Sequence, residues 1–306
     1  MKVLFLGNHT VGVRALRVIH RQAELVGVVA HPDDPEDGVC YESVFAEAKR
    51  LGVSVIRTSG KSPELETFVR AVAPELIWIA DYRYLLPSQL LTLAALGTVN
   101  LHPSLLPTYR GRAPINWAIL HGETELGLTA HFVDEGMDTG DIIAQRAFRL
   151  TQAQDVGDAL DTLYPLYQQL TVEVLAAFQA GTVRRRPQDA AQATTFPRRT
   201  PADGLIDWTR PARDVWNLIR AVAKPYPGAF ARWSEGTVRV WRASRVEALA
   251  AGVQPVAGEV LDISSDGHAF SVACGDAALV VSSFALENTD SRAPRVGDVL
   301  SALVPA

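Results

Sequence analysis

The feature that most constrains the fold is a regular alternation of short apolar runs with helix-like segments along the first hundred residues. The apolar runs lie at residues 3–6, 25–30, 53–56, 76–80 and 98–101. The segments between them carry apolar residues at helical spacing. A strand covered on both faces is apolar throughout, and parallel sheets are covered in this way. The pattern therefore predicts an α/β domain built on a doubly wound, Rossmann-like parallel sheet.

The pattern changes in the last third of the chain, where short β-like runs are separated by Gly, Asp and Ser. Such runs predict a small antiparallel β domain, a partly open barrel. A length of 306 residues suits two domains. We expect the sheet domain over 1–200 and the β-barrel domain, led by a helix, over 201–306. Residues 187–204 are polar and rich in turn formers, which predicts a linker.

Amino-acid composition and net charge indicate the cellular compartment and the kinds of binding partner that we expect. The chain has two cysteines and no apolar run long enough for a signal peptide or a membrane span, which predicts a cytoplasmic protein. The formal net charge is -5 and the isoelectric point is near 5.8. Domains that bind nucleic acid are usually basic, so the charge disfavours a nucleic-acid partner.

The residues that favour a chemical function begin at the end of the fifth predicted strand. Asn100 and His102 are two apart, so within a strand they point to one face. Ligands of open α/β sheets bind at this carboxyl edge. An amide donor beside an imidazole suits a carbonyl oxygen that becomes an oxyanion. The loop at 134–141 carries carboxylates, one of which would complete a proton-transfer centre for an attacking amine.

Each of these residues also has a structural interpretation. Asn and His at strand ends often bind only local backbone, and aspartates in a Gly-rich loop are often turn formers. His131 lies in an alternating strand and is interpreted as structural. A metal site using His102, His131 and Asp138 would lack the tight ligand spacing of metal motifs, so we expect no metal.

A longer pattern surrounds these residues. It consists of Asn100-Leu101-His102-Pro103-Ser104-Leu105-Leu106-Pro107, Tyr109-Arg110-Gly111, Ala113-Pro114, Gly127-x-Thr129-x-His131 and Asp138-x-Gly140-x-Ile142. Its order and spacing resemble the signature of the 10-formyltetrahydrofolate-dependent formyltransferases. Segments at Arg199-Thr200-Pro201, Ile206-Asp207-Trp208 and 217–221 resemble the start of that family's OB-like C-terminal domain. The resemblance covers essentially the whole chain.

The resemblance implies a function for particular residues. Asn100, His102 and Asp138 match the family's catalytic residues, and the formyl donor would be 10-formyltetrahydrofolate. The implied folate contacts are Tyr84, Leu85, Leu86, Arg112, Asp134, Glu135, Gly136 and Met137. In the mechanism that we expect, Asp138 takes the proton of the amine, and Asn100 and a protonated His102 hold the oxyanion. The proton then passes to N10 of the folate.

The sequence leaves three acceptors open: a nucleotide-linked amino sugar, methionyl-tRNA, and a small amine such as hydroxyornithine. The loop at 31–38 has four acidic residues and no Lys or Arg, whereas relatives that modify tRNA typically have an extended basic loop there. The longer stretch 31–43, with Tyr82-Arg83 and 109–112, resembles formyltransferase domains that act on UDP-4-amino-4-deoxy-L-arabinose. We therefore expect a stand-alone amino-sugar transferase. A homodimer and a non-catalytic folate-binding module remain open alternatives.

Overall fold

The computed structural model describes residues 1–32, 41–60, 62–233, 236–249, 255–287 and 293–301. The chain forms two compact units. The first contains Met1–Pro114, Glu125–Arg149 and Leu160–Pro197, and the second contains Ile115–Thr124, Leu150–Ala159 and Arg198–Ala306. The predicted boundary at 200 assigned one continuous segment to each domain. In the structure, two short segments of the first half pack with the C-terminal unit instead.

The strands and helices follow the predicted alternation. The strands are β1 (Lys2–Gly7), β2 (Glu24–Ala30), β3 (Val55–Arg57), β4 (Leu76–Ala80), β5 (Thr98–His102), β6 (Arg110–Gly111), β7 (Glu125–Phe132), β8 (Ile142–Arg149), β9 (Thr195–Phe196), β10 (Ala229–Trp233), β11 (Gly236–Glu247), β12 (Val260–Ile263), β13 (Phe270–Ala273) and β14 (Ala278–Glu287). The helices are α1 (His9–Gln22), α2 (Val44–Arg50), α3 (Pro63–Val72), α4 (Ser88–Leu91), α5 (Pro114–Leu120), α6 (Val156–Gln179) and α7 (Ala212–Ala221). None of these helices combines the length and the hydropathy needed to cross a membrane.

The first unit is built on a seven-stranded sheet in the order β3-β2-β1-β4-β5-β7-β8. Strands β1 to β5 pair in parallel, which confirms the predicted Rossmann-like parallel sheet for this part of the domain. The last two strands are antiparallel. The loop from β7 to β8 is too short for the crossover that a parallel pair requires. This loop, residues 133–141, carries the predicted carboxylates to the sheet edge.

The centre of the sheet fixes the edge at which polar side chains collect. Every residue of β4 is buried. A Cβ on Gly7 would stand 2.4 Å from the carbonyl oxygen of Ala80, so only glycine permits this approach of β1 to β4. The carboxyl ends of these two strands are therefore held side by side, next to that of β5.

One predicted helix is much shorter than expected. The spacing of residues 86–96 indicates a helix, but only Ser88–Leu91 is helical. Pro87 occupies the N-cap position and has no N–H to donate, and turns replace the helix after Thr92. The remaining residues form the loop that leads into β5.

The second unit contains a five-stranded antiparallel sheet in the order β10-β11-β14-β13-β12. Its two edge strands are linked by one short segment, because Ser301 bridges to Arg232 of β10 and Val299 bridges to Glu259 beside β12. The sheet thus curls towards closure, as in a barrel. Its core includes Trp208, Trp233, Val240, Phe270 and Leu279. The prediction of an antiparallel β domain at the C-terminus is confirmed.

Candidate active site

Asn100 and His131 meet because their strands pair. Asn100 of β5 lies directly opposite His131 of β7, so the two side chains share a face. The amide nitrogen Nδ2 of Asn100 is 3.2 Å from Nε2 of His131. Nδ1 of His131 is 2.7 Å from the carbonyl oxygen of Phe132 and donates to it, since a carbonyl only accepts. With the proton on Nδ1, Nε2 accepts from Asn100, and the amide keeps a second N–H for another acceptor.

His131 thus orients Asn100. The sequence pattern indicates a structural role for His131. The structure places its side chain next to the amide of Asn100, a predicted catalytic residue. The alternation Gly127-x-Thr129-x-His131 shows only that His131 faces inward. Which residue it meets depends on the register of β5 with β7, and this is why the sequence did not indicate the contact.

His102 is almost completely buried, at 4% exposure. Its Nε2 donates to the carbonyl oxygen of Tyr109 at 2.8 Å. Its other nitrogen, Nδ1, lies 3.6 Å from Oδ2 of Asp138. Burial lowers the pKa of His102, and this effect outweighs the opposing charge of Asp138 and the Tyr109 carbonyl. The ring is therefore neutral near neutral pH, with its Nδ1 lone pair on the side of the carboxylate.

Asp138 is an ionised carboxylate that accepts a backbone hydrogen bond and lies beside two imidazole rings. Its Oδ2 accepts from the backbone N–H of Gly111 at 2.9 Å, and its Oδ1 lies 3.5 Å from Nε2 of His131. Burial by itself raises the pKa of Asp138, but electrostatic interaction with the His102 and His131 imidazoles and the Gly111 N–H together hold it well below its usual range. A carboxylate with so low a pKa is a weak base. The contact between His102 and Asp138 fits an assignment opposite to the one expected from the sequence, in which a neutral His102 accepts the proton and Asp138 stays ionised.

Gln188 links the two loops that carry the site. Its Oε1 accepts from Nε and Nη2 of Arg110, at 3.1 and 2.7 Å. Its Nε2 donates to the backbone oxygens of Asp138 and Gly140, both at 2.8 Å. The amide thereby makes all four of its hydrogen bonds inside the protein. Asp138 has a left-handed backbone, with φ 54°. The four hydrogen bonds of Gln188, which we call the Gln188 clamp, therefore restrain a disfavoured backbone conformation.

The sequence missed Gln188, because the segment 187–204 was predicted to be a linker. Parts of that segment pair with the site, since β9 aligns in parallel with β6. A glutamine in a polar stretch has no local signature that indicates such a role, and the chain separation of 78 residues from Arg110 hides the contact.

The first group of predicted folate contacts lies on the loop after β4. The side chain of Leu85 is 64% exposed. The guanidinium of Arg112 donates to the carbonyl oxygen of Arg83, next to Tyr84. Arg112 is thus joined to the loop that holds Tyr84, Leu85 and Leu86.

The second group lies on the β7–β8 loop. Oδ1 of Asp134 accepts from the N–H of Gly136 at 3.1 Å and from Oγ1 of Thr139 at 2.5 Å, so Asp134 shapes its own loop. Glu135 and Met137 are exposed. The sulfur of Met137 lies 3.4 Å from the point where a Cβ on Gly111 would stand. This loop therefore extends from the Asp138 carboxylate to the surface.

The two groups belong to one edge of the sheet. Leu86 from the first loop and Val133 from the second pack against the same buried cluster. The structure therefore places Asn100, His102 and Asp138 together, with the predicted folate-contact loops beside them. Among the described residues, no three His, Cys, Asp or Glu side chains are arranged to hold a metal ion.

Solved structures of other proteins share this fold. A sugar 3N-formyl transferase, WlaRD, is 15% identical over 95% of this chain and 99% of its own, with a TM-score of 0.69. An N-formyltransferase from Helicobacter canadensis is 18% identical over 93% and 100%, with a TM-score of 0.68. A methionyl-tRNA formyltransferase from Clostridium thermocellum is 16% identical over 94% and 99%, with a TM-score of 0.59.

Family models match both parts of the sequence. The model described as "Formyl transferase" matches residues 1–175, and the model described as "Formyl transferase, C-terminal domain" matches residues 198–293. The first match alone covers more than half of the chain and includes the predicted catalytic residues. The resemblance noted in the sequence is thereby confirmed, and the chain belongs to the formyl transferase family.

Proposed function

We propose that the protein transfers a formyl group from 10-formyltetrahydrofolate to the primary amine of a nucleotide-linked amino sugar. One structural observation is the main support for this reaction. An amide N–H of Asn100, the Nδ1 of a neutral His102 and the carboxylate of Asp138 converge at the carboxyl edge of the sheet. A hydrogen-bond donor, a base and a fixed negative charge are what acyl transfer to an amine requires.

Each residue has a separate task in this proposal. The second N–H of Asn100 donates to the formyl oxygen as that oxygen gains negative charge. His102 Nδ1 accepts a proton from the amine while the new carbon–nitrogen bond forms. Asp138 stays ionised and stabilises the imidazolium at 3.6 Å. His102 then gives the proton to N10 as the bond from N10 to the formyl carbon breaks.

The donor fits the loops beside the site. A pterin is flat, with a row of hydrogen-bonding groups along its edge, and it suits apolar side chains next to loop backbone. The exposed Leu85 and Met137 provide apolar surface, and the loop around Asp134 provides backbone groups. The WlaRD structure was solved with 5-N-formyl-THF and dTDP, and the Helicobacter canadensis structure with folinic acid and dTDP-3-aminofucose. These ligands support a folate donor.

The choice of acceptor rests on charge. A long nucleic acid is bound mainly through its phosphates, which attract many cationic side chains. Residues 198–306 contain twelve Arg and Lys residues and twelve Asp and Glu residues, so their charges balance. The acidic stretch 33–37 lies outside the described residues. A nucleotide sugar has two phosphates, which one or two arginines bind.

UDP-4-amino-4-deoxy-L-arabinose belongs to the proposed class of acceptors. The two sugar-transferase neighbours were solved with dTDP or a dTDP-linked sugar, so their ligands support the class and not this particular nucleotide. The second candidate is methionyl-tRNA, because the Clostridium thermocellum enzyme that carries this name shares the fold over 94% of the chain.

A panel of acceptors tests the proposal. The protein is incubated with 10-formyltetrahydrofolate and, separately, with dTDP- and UDP-linked 3-amino and 4-amino sugars, methionyl-tRNA and hydroxyornithine. Formylated products are identified by mass. We expect turnover with at least one amino-sugar nucleotide and at least a hundredfold lower kcat/KM for the other two substrates. Turnover of methionyl-tRNA alone, or of hydroxyornithine alone, would contradict the proposal.

A further inference from the structure

A second pair of titratable side chains lies at the same sheet edge and has no task in the mechanism above. Nδ1 of His9 is 2.6 Å from Oδ2 of Asp81. His9 is the first residue of α1, just after β1, and Asp81 directly follows β4. Strands β1 and β4 are neighbours, so the pair joins two adjacent loops.

Both partners have a disfavoured backbone conformation. The φ angle is 56° at His9 and 59° at Asp81, in the left-handed region that non-glycine residues rarely adopt. Such conformations persist where the surrounding structure enforces them, and they are frequent at ligand sites. Two such residues, joined by one short ion pair, indicate that the surrounding fold enforces the arrangement of these two loops. We call the His9–Asp81 pair and its surroundings the His9–Asp81 corner of the sheet edge.

The carboxylate of Asp81 is charged and reaches solvent. Burial by itself raises the pKa of Asp81, but the hydrogen bond and charge of His9, with smaller effects of His31 and Arg83, lower it. The Asp81 side chain nevertheless keeps 40% of its surface accessible, and that of His9 keeps 21%. An ionised acceptor therefore lies at the edge of the sheet, where a ligand can contact it.

Aromatic rings surround the pair. The ring of Tyr41 lies 4.0 Å from that of His9, at an angle of 35°. The ring of His31 is 6.0 Å from that of His9 and 5.9 Å from that of Tyr84. A charged oxygen and an imidazole beside aromatic faces suit a ring with several hydroxyl groups. Its hydroxyls would donate to the carboxylate, and its C–H face would pack on an aromatic ring.

The strand register places this corner beside the reacting groups. Ala80 of β4 pairs with Leu101 of β5, so Asp81 and His102 are each one residue further along neighbouring strands. From this placement we propose that His9, Asp81 and Tyr41 form the subsite that binds the hydroxyl-bearing sugar ring of the acceptor. The inference rests on the proposed function and assigns part of the acceptor's specificity to these residues.

The test compares two ligands on matched variants. The ligands are the amino-sugar nucleotide that the wild-type protein turns over fastest in the panel and its parent nucleoside diphosphate, dTDP or UDP. Binding is measured by calorimetry for wild type, Asp81→Asn and Tyr41→Leu. Glu66→Gln is the control, because it removes a comparable ion pair, with Arg70 at 2.7 Å, from the exposed face of α3.

We expect Asp81→Asn and Tyr41→Leu each to weaken binding of the amino-sugar nucleotide by tenfold or more. Affinity for the parent nucleoside diphosphate and the KM for 10-formyltetrahydrofolate should change by less than twofold. A purely structural ion pair would weaken both ligands equally or neither, and either result would overturn the inference. If Asp81→Asn does not fold, as judged by its thermal unfolding curve, Tyr41→Leu alone decides the question.

The two proposals fail in different ways. If wild-type protein turns over no amino-sugar nucleotide, the proposed function is wrong, and this subsite falls with it. If wild-type protein turns one over and the variants bind it normally, only the subsite is wrong.

Discussion

His102 lies between two acceptors, with Nε2 2.8 Å from the carbonyl oxygen of Tyr109 and Nδ1 3.6 Å from Oδ2 of Asp138. A neutral ring can place its proton on only one nitrogen, and the shorter contact fixes it on Nε2. Nδ1 is then a base beside a permanent negative charge. When it gains a proton, both acceptors are satisfied, so the site is arranged for the imidazolium that forms during reaction.

The first prediction concerns pH. Burial lowers the pKa of His102 from its ordinary value of 6.5, and the reaction needs the neutral ring. We therefore expect kcat to rise with pH on an acid limb below pH 6.5 and not to fall as His102 loses its proton. In Asp138→Asn the charge that raises this pKa is gone, so the limb moves to lower pH while kcat drops by about 100-fold or more. An activity that is lost as His102 deprotonates would restore the roles expected from the sequence.

The second prediction concerns the Asn100 amide. Asn100→Asp keeps the size of the side chain but replaces the N–H donor with an acceptor. We expect kcat to fall by about 100- to 1,000-fold, since removal of one donor to a developing oxyanion has this effect. The affinity for the folate donor, measured by fluorescence titration with 5-formyltetrahydrofolate, should stay within about threefold. A variant with wild-type kcat would exclude Asn100 from the reaction.

The third prediction concerns Gln188, a positioning residue. Gln188→Leu removes the two hydrogen bonds to the loop of Asp138, so we expect kcat to fall by about ten- to 100-fold with little change in either KM. Gln188→Glu should be no better, because it sets a carboxylate oxygen against two carbonyl oxygens. Gln192→Leu is the control, since the Gln192 side chain donates to the exposed Asp189 carboxylate and has no hydrogen bond to the site within the described part of the chain. Equal kcat in all of these variants would show that the hydrogen bonds of Gln188 do not position Asp138 for the reaction.

The fourth prediction concerns acid stability. Hydrogen bonds from Arg50 and Arg17 lower the pKa of the buried Glu47 from 4.5 to about 2. The stabilisation is therefore complete above pH 4.5 and is lost as pH falls towards 2. Because Arg50 is exposed and screened, Glu47→Gln should lower the free energy of unfolding by about 1 to 2 kcal/mol at pH 7. Denaturant unfolding at pH 7 and pH 3 measures this difference.

A control separates the acid effect from the loss of any charge. Glu66→Gln breaks a surface pair with Arg70, and we expect it to cost less than about 0.5 kcal/mol at either pH. If Glu47→Gln is as mild as Glu66→Gln at pH 7, the buried network around Glu47 does not stabilise the fold.

Much of the fold could be predicted from the sequence, because local residue patterns determine the strands and helices. Continuous apolar runs such as 76–80 predict parallel strands, and the structure confirms β4 there. The helix predicted at 86–96 was wrong in length, since it begins only after Pro87 and turns replace it from Thr92 onward. The antiparallel direction of β7 and β8 was not foreseen, because strand direction depends on pairing partners and not on local periodicity.

Part of the site could be predicted from the sequence for the same reason. Asn100 and His102 belong to one strand, and the motif that contains Asp138 has a recognisable spacing. Gln188 and the His9–Asp81 pair depend on contacts between segments 50 or more residues apart, which no local signal encodes. The roles of His102 and Asp138 depended on burial, and burial is a property of the folded site.

The measurement that tests the account most directly is kcat/KM for the amino-sugar nucleotide and for methionyl-tRNA as salt rises from 50 to 200 mM. A ligand held through two phosphates should lose affinity gently over this range, whereas one held through six or more loses about a thousandfold or more. We expect efficient formylation of the nucleotide sugar, at a rate that falls less than about tenfold with salt. Efficient and steeply salt-sensitive formylation of methionyl-tRNA, with no reaction of any amino-sugar nucleotide, would contradict the central claim.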